Sequence, residues 1–496
     1  MRLWLRTILP TLALAWASSG EAATYYVRNG GSDSADGRSH ATAWASLNKV
    51  NSYAFAAGDS VLLQEGSRFV GQLKVDWAGT ATQKAVVGAY YLDGSTPRRG
   101  YRTARPKIDG EDRIPTGRFD SLITVAGVDR VRVENIQVMN SEGRGIGVSD
   151  SDHSEVVGCS VQNIYVNGIH FLRSPSPLAE ANFVTRQGVG LVEDGADWGA
   201  SIEFVASPDG AMRDNVVSEV FGEALDAHTG SDRTLIERNY VFGARAVGIY
   251  IDSSRDLTVR RNIVVGTATS TYWRSGTAVG SGIVLNNESY HYPIGGGKLD
   301  VSVQAKGAKI YGNLVAYTNT GIAFWGQLPE SSFDGTLVYN NTFVDNNVQF
   351  ATTGKPIPNS KFVNNILLSI SPGTTDVSGV DLRGMVAKSN YLSKGDPGGD
   401  WSHSGNRYKG VSLSKMSGWR TITSRNQVTW RDFVLAPGAT AIAAGDEEPR
   451  ATATATQNFN LDHNAASHNK PMDMGGLTFA TGDDAQPMPP TGLSGT

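Results

Sequence analysis

Eight short segments set the terms on which this chain can fold. VENIQV, VGCSVQ, RDNVVS, ERNYVF, RRNIVV, YGNLVA, YNNTFV and VNNILL share one position, held by Asn135, Cys159, Asn215, Asn239, Asn262, Asn313, Asn341 and Asn365. Neighbours without a large insertion lie 23, 24 or 28 residues apart. Two wider gaps, Cys159 to Asn215 and Asn262 to Asn313, leave room for one or two further repeats with inserted loops. A second marker runs in step: GIGV at Gly145, GIHF at Gly168, GIYI at Gly248, GIVL at Gly282 and GIAF at Gly321. Each opens a stretch of period two, the pattern of a strand with one buried face.

A period near 24 with short strands predicts an all-β chain wound as a right-handed parallel β-helix. No coil can bury its apolar face alone, so each is completed by its neighbours. A stacked Asn column can hydrogen-bond as a ladder along the axis. Leucine-rich repeats are excluded by the missing Leu pattern, and propeller blades need about twice this period. Composition agrees. Gly, at 57 of 496 residues, suits many tight turns. A single cysteine, Cys159, allows no intrachain disulfide, so the core must hold the fold. The net charge of −4 gives no reason to expect nucleic acid.

Residues 1–22 read as a secretory signal: Arg2 and Arg6, an apolar run from Ile8 to Trp16, then small Gly20 and Ala22. The mature chain is expected to be secreted or periplasmic, monomeric and not inserted in a membrane. Residues 23–110 are expected to form an N-terminal cap and first coils. Residues 111–370 form the central coils, with inserted loops near 172–207 and 267–306. Residues 371–480 supply irregular late coils or a C-terminal cap, and 481–496 a disordered tail.

The opening ATYYVRNGGSDSADGRSHATAWASLNKVN, with AAGDSVLLQEGSRFVG and ARPKIDG, resembles the start of many secreted β-helix carbohydrate-active proteins of the pectate-lyase-like superfamily. LAPGATAIAAG and LDHNAASHNKPMDMGG resemble their closing segment. This resemblance implies a polysaccharide as partner.

One stretch, GEALDAHTGSD, concentrates titratable groups on this scaffold. Aligned with AVGIYID, it turns Leu225 and Ala227 inward and Asp226 and His228 outward, beside Tyr250 and Asp252. If the coils are neighbours, His170, Asp226 and Tyr250 form one outward row, and His228, Asp252 and Asn286 the next. Glu223 sits just before. A one-residue slip would reverse every side chain. Asp226, His228, Tyr250, His170, Asp252 and Glu223 are therefore the candidate catalytic groups. Candidate sugar-binding groups are Arg245 and the loop residues Trp198, Trp273, Arg274, Tyr290, His291 and Lys298, since aromatic faces suit sugars and Arg or Lys suits carboxylates. Asp226-Ala227-His228 is also similar to the Asp-Pro-His motif of bacterial alginate C5-epimerases, with Ala227 for Pro. That resemblance implies catalytic roles for Asp226 and His228.

Removal of the C5 proton of a uronic acid needs a base, an acid and a group that neutralises the carboxylate. The leading expectation is a lyase that cleaves an acidic polysaccharide by β-elimination. A glycoside hydrolase, a uronate C5-epimerase and a non-catalytic carbohydrate-binding β-helix remain as alternatives. No Cys/His spacing suggests zinc. Calcium is possible at Asp150 and Asp152, or at Asp33 and Asp36.

Overall fold

The computed structural model describes residues 22–436, apart from 194, 196–197, 275–278, 289–292, 295–296, 299–303, 403–404 and 409. Residues 1–21 of the expected signal and the expected tail over 481–496 lie outside the described residues. Within them, three sheets of 14, 13 and 11 strands run the length of the molecule. In each, a strand pairs in parallel with its counterpart one coil away, for example Leu225 with Ile249 and Ala227 with Ile251. This is the expected parallel β-helix.

Inward side chains form one continuous core, in which Ile202, Phe204, Leu225, Ala227, Ile249 and Ile251 are fully buried. The glycine of the second marker sits where a strand begins to face this core. A Cβ on Gly168 would lie 2.5 Å from the Ser201 carbonyl oxygen, and one on Gly248 would lie 2.4 Å from Val264. The first end of the core is plugged by Trp44 with Leu47 and Val50, which belong to or precede the short helix α1 (Leu47–Ser52). Trp401 packs on Phe350 and Phe362 near the other end.

The polar column is an amide ladder. From Asn182 through Asn215, Asn239, Asn262, Asn313, Asn341, Asn365 and Asn390 to Asn406, each side-chain NH2 donates to the next side-chain oxygen at 2.9–3.3 Å. The same oxygen accepts the backbone N–H of the preceding member, as Asn239 does from Asn215 at 3.0 Å.

Two expectations are corrected. Asn135 stands one residue off the column, which Ile136 and then Cys159 occupy, because Ser160 pairs with Gln137. The stretch near 172–207, expected as an inserted loop, is one of the further repeats for which the first wide gap left room. It contains a whole coil, Leu178–Glu180, Phe183–Gln187 and Ala200–Val205, and its ladder member is Asn182.

The 11-stranded sheet carries the residues of interest. Its middle strands, in order, are β1 (Arg144–Ser149), β2 (Ile169–Leu172), β3 (Ala200–Val205), β4 (Glu223–His228), β5 (Val247–Asp252), β6 (Ser281–Asn286) and β7 (Thr320–Phe324).

Asn239→Ala should strip the buried Asn215 backbone N–H of its side-chain acceptor and remove one hydrogen bond each from the Asn215 amide, the Asn262 side-chain oxygen and the Met212 carbonyl. The expected loss is about 2–4 kcal/mol, read by urea denaturation. A midpoint unchanged from wild type would show that the ladder does not stabilise the stack.

Candidate active site

Period-two alternation sends Leu225 and Ala227 to the core, so Asp226 and His228 must face out of the helix. The register extends this row across the coils: His170, Glu203, Asp226, Tyr250 and Val284 lie side by side. The next row holds Val205, His228, Asp252 and Asn286. The expected adjacency of His170 and Asp226 is therefore corrected. The coil hidden in the first gap places Glu203 between them. The missed signal was SIEFVAS, which matches GIHFLRS position for position in its apolar residues and final Ser.

These outward groups floor a cavity of about 430 Å³. Glu203, Glu223, Asp226, His228, Tyr250 and Glu288 line it from below. Phe119, Arg144, Trp198, Arg274 and Trp325 line its walls. Phe119 and Trp198 are 53% and 50% exposed. His170 and Asp252 lie behind the lining, buried against it.

The floor is one connected network. His228 Nδ1 is 3.2 Å from Glu203 and 3.6 Å from Asp226, and its Nε2 is 3.4 Å from Asp252. Arg144 donates to the Asn167 side-chain oxygen at 3.0 Å, and the Asn167 amide donates to Glu203 at 2.7 Å. His170 Nε2 approaches the same Glu203 carboxyl at 3.4 Å. On the other side, the Tyr250 hydroxyl donates to Glu288 and accepts from the Asn286 amide. The Glu288 backbone N–H donates to Asp252 at 3.3 Å. Asp226 Oδ1 is buried and has no hydrogen-bond partner.

Crowding so many ionisable groups out of water costs several kcal/mol per charge unless they are paired or neutralised. The ionisation pattern shows how the floor responds. Burial, aided by the Glu203 charge, pushes the Glu223 carboxyl up to about 8. Burial and the charges of Glu223 and Glu203 push Asp226 well above the usual carboxylate range. Burial also raises Asp252, to about 7, against the opposing charge of His228. For Glu203 burial is outweighed by the His228 hydrogen bond and the charges of His170 and His228, so it stays below the usual range. For His228 burial is outweighed by the Glu203 hydrogen bond and the charges of Asp252, Glu203 and Glu223, which hold it at about 9. Burial brings His170 down to about 4. Tyr250 is lifted well above the phenol range, chiefly by burial. The floor thus contains an ionised carboxylate, an imidazolium and several proton-retaining acids.

Of the expected sugar-binding groups, Trp198 and Arg274 reach the cavity. The Arg274 guanidinium carbon lies 5.5 Å from the Trp198 ring centre and 5.6 Å from that of Trp325. Arg245 and Trp273 do not line it. Arg245 donates to the Thr271 carbonyl, and the Trp273 indole N–H donates to Thr267 at 2.7 Å. Tyr290 and His291, and the Lys298 side chain, fall outside the described residues. Arg144, Phe119, Trp325 and Glu288 are not among the site residues to which the sequence points. They come from coils whose outward residues showed no cluster of their own.

The acidic turns considered for calcium have other partners. Both oxygens of Asp150 accept from Arg173 at 2.7 Å. Asp33 accepts from the Ala45 and Ser46 backbone and the Ser46 hydroxyl. Asp36 accepts from the Arg38 backbone, and Asp152 pairs with His153. Such engaged carboxylates fit poorly to an ion that takes six to eight oxygen ligands. Among the described residues, Glu203, Asp226 and His228 bring one potential ligand atom each within 4.8 Å of one another. The contacts they make are those of a shared-proton network.

Glu203→Gln should let the His228 imidazole titrate well below about 9, as read by NMR. An unchanged titration would contradict the network. The folded value lies above the ordinary 6.5. The protonated ring therefore stabilises the fold fully below 6.5, and that contribution is lost as the pH rises through about 9.

Residues 121–299 match the family model described as the right handed beta helix region. No curated protein matches the chain. Among solved structures, the chain is similar to an alginate lyase from Paenibacillus sp. str. FPU-7, at 17% identity, 64% coverage of this chain, 97% of that one and a TM-score of 0.42. It is similar to pectate lyase Pel9A at 13% identity, with 93% and 97% coverage and a TM-score of 0.47. It is also similar to the GH136 lacto-N-biosidase from Eubacterium ramulus at 16% identity, with 74% and 67% coverage and a TM-score of 0.39. Stacked parallel coils, one continuous core and the matched region lead to one conclusion: the chain is a right-handed parallel β-helix protein.

Proposed function

We propose that the chain is a polysaccharide-active enzyme that cleaves a uronate-containing glycan by β-elimination in this cavity. One observation carries the reading. A buried, proton-retaining carboxyl, Asp226, faces a cavity whose walls bring Arg144 and Arg274 and whose floor brings Tyr250. Arg144 and Arg274 neutralise the substrate carboxylate and favour charge delocalised into it. Asp226, once ionised, takes the C5 proton. A carboxylate whose affinity for protons is raised by its surroundings is a stronger base than an exposed one. The C5 electron pair forms the C4–C5 double bond as the C4–oxygen bond breaks. Tyr250, whose hydroxyl is oriented by donating to Glu288, protonates the departing sugar oxygen; afterwards Tyr250 regains a proton from water and Asp226 releases the C5 proton to water. His228 holds Glu203, Asp226 and Asp252 together and offsets their charge.

The signal-like residues 1–22, with Arg2, Arg6 and the apolar run from Ile8 to Trp16, support a reading of action outside the cytoplasm. Among the described residues no helix is long and apolar enough to cross a membrane.

A second reading, hydrolysis, is favoured by the ionised Glu203 near the protonated Glu223, since carboxyls pushed apart in this way can serve as base and acid. The two readings require opposite pH limbs. Elimination needs Asp226 ionised, so its rate rises as the pH climbs past the ordinary carboxylate range. Hydrolysis with Glu223 as acid loses rate as the pH passes about 8. The mature protein should therefore be incubated across this range with a panel of uronate polysaccharides and neutral glycans. New ultraviolet absorbance from an unsaturated end, rising with pH and reduced about 10²–10⁴-fold in Asp226→Asn, is expected. Reducing ends without absorbance, an altered sugar without cleavage, or binding alone would overturn elimination.

A further inference from the structure

Arg274 occupies an unusual place above the floor. Its guanidinium carbon lies within cation–π distance of two indoles, 5.5 Å from the Trp198 ring centre and 5.6 Å from that of Trp325. Trp198 precedes β3 and Trp325 follows β7, and these strands are four steps apart in the sheet. At the inter-strand spacing that is about 19 Å along the helix axis. One guanidinium is near both rings, so the three side chains bridge the span of β4, β5 and β6, the strands that carry Asp226, Tyr250 and Asn286. Trp325 also packs edge-on against Tyr250, with ring centres 6.1 Å apart. At the opposite end of the cavity stand Phe119 and Arg144, with Phe119 half exposed. The cavity volume of about 430 Å³ lies within the range of small-molecule pockets, roughly 300–1,000 Å³.

We infer that Trp198, Arg274 and Trp325 form a clasp that closes one end of the cavity, so that the enzyme accepts the end of a glycan chain from the Phe119 side rather than its interior. The inference rests on the proposed glycan-cleaving function and adds the mode of attack. An interior segment must pass out at both ends of the site, and the clasp crosses the path. A chain end has to pass at one end only, and Arg274 then meets its terminal carboxylate. The clasp is held by two exposed cation–π contacts, which favour the closed arrangement by a factor on the order of ten. Loss of one aromatic partner should open it.

The test uses polymers of defined length from the glycan class that the panel identifies. Wild-type protein should release short products from the first turnovers while viscosity stays nearly constant. Trp198→Ala should give a broad ladder of long products, with viscosity falling several-fold more per bond broken. Trp198→Phe, which keeps an aromatic face, should keep the short-product pattern of wild type, whatever its rate. Thermal melting checks that the variants are folded. A wild-type ladder already broad from the start, or an unchanged product pattern in Trp198→Ala, would overturn the clasp. Products are read by size, so hydrolysis in place of elimination leaves this result intact. Should no glycan be cut, calorimetry reads the same geometry. One protein bound per polymer chain at every length supports end recognition, and a stoichiometry that grows with length contradicts it.

Discussion

Parallel pairing between successive coils is the constraint on which everything else depends. Each coil presents its strand edges to the next, and the inward side chains become core only because the neighbour closes it. The Asn ladder locks this stacking at a buried corner. Each amide satisfies both a side chain and a backbone group of an adjacent coil, so no member can shift register without stranding its neighbours. A second column follows the site strands. The Ser174 backbone N–H donates to the Ser207 hydroxyl, that of Ser207 to Ser231, and that of Ser231 to Ser254. Between these two columns the outward row from His170 to Tyr250 is held in fixed positions, one strand apart.

That rigidity explains how the chain tolerates its floor. Carboxyls set at strand spacing cannot move apart to relieve repulsion, and water is largely excluded. The remaining responses are to keep protons or to share an imidazolium, and both occur. His228 is the hub: three carboxyls surround it, and Arg144 reaches the same network through Asn167. A structural coil needs none of these groups in its outward positions. The coils carrying Gly147 and Ala323 there fold by the same pairing. The concentration of charge on β3, β4 and β5 is thus better explained by chemistry than by folding.

Much of this was legible because a β-strand has a period of two. Once Leu225 was aligned with Ile249, the facing of Asp226, His228, Tyr250 and Asp252 followed, and the pairing register agrees. Glu203 was not legible in the same way. Its coil lacks the Gly-Ile marker, since Ser201 replaces the glycine, and its ladder residue Asn182 stands in ANFVTR, where the flanking pattern is weaker. The walls were only half legible. Arg274 and Trp198 were found as loop aromatics and cations, whereas Arg245 and Trp273, chosen on the same grounds, turn to backbone carbonyls instead. Residue type states what a side chain can bind. Which way a loop side chain points depends on packing that has no sequence period.

The central claim is that Asp226 meets the reacting carbon while the two arginines hold the carboxylate. A crystal structure of Asp226→Asn bound to a uronate oligosaccharide tests it most directly. The account predicts one sugar under the clasp, its carboxylate facing Arg144 or Arg274, its C5 hydrogen toward residue 226 and its glycosidic oxygen within reach of the Tyr250 hydroxyl. A sugar seated elsewhere on the helix, or one in the cavity with its carboxylate turned away from both arginines, would contradict it.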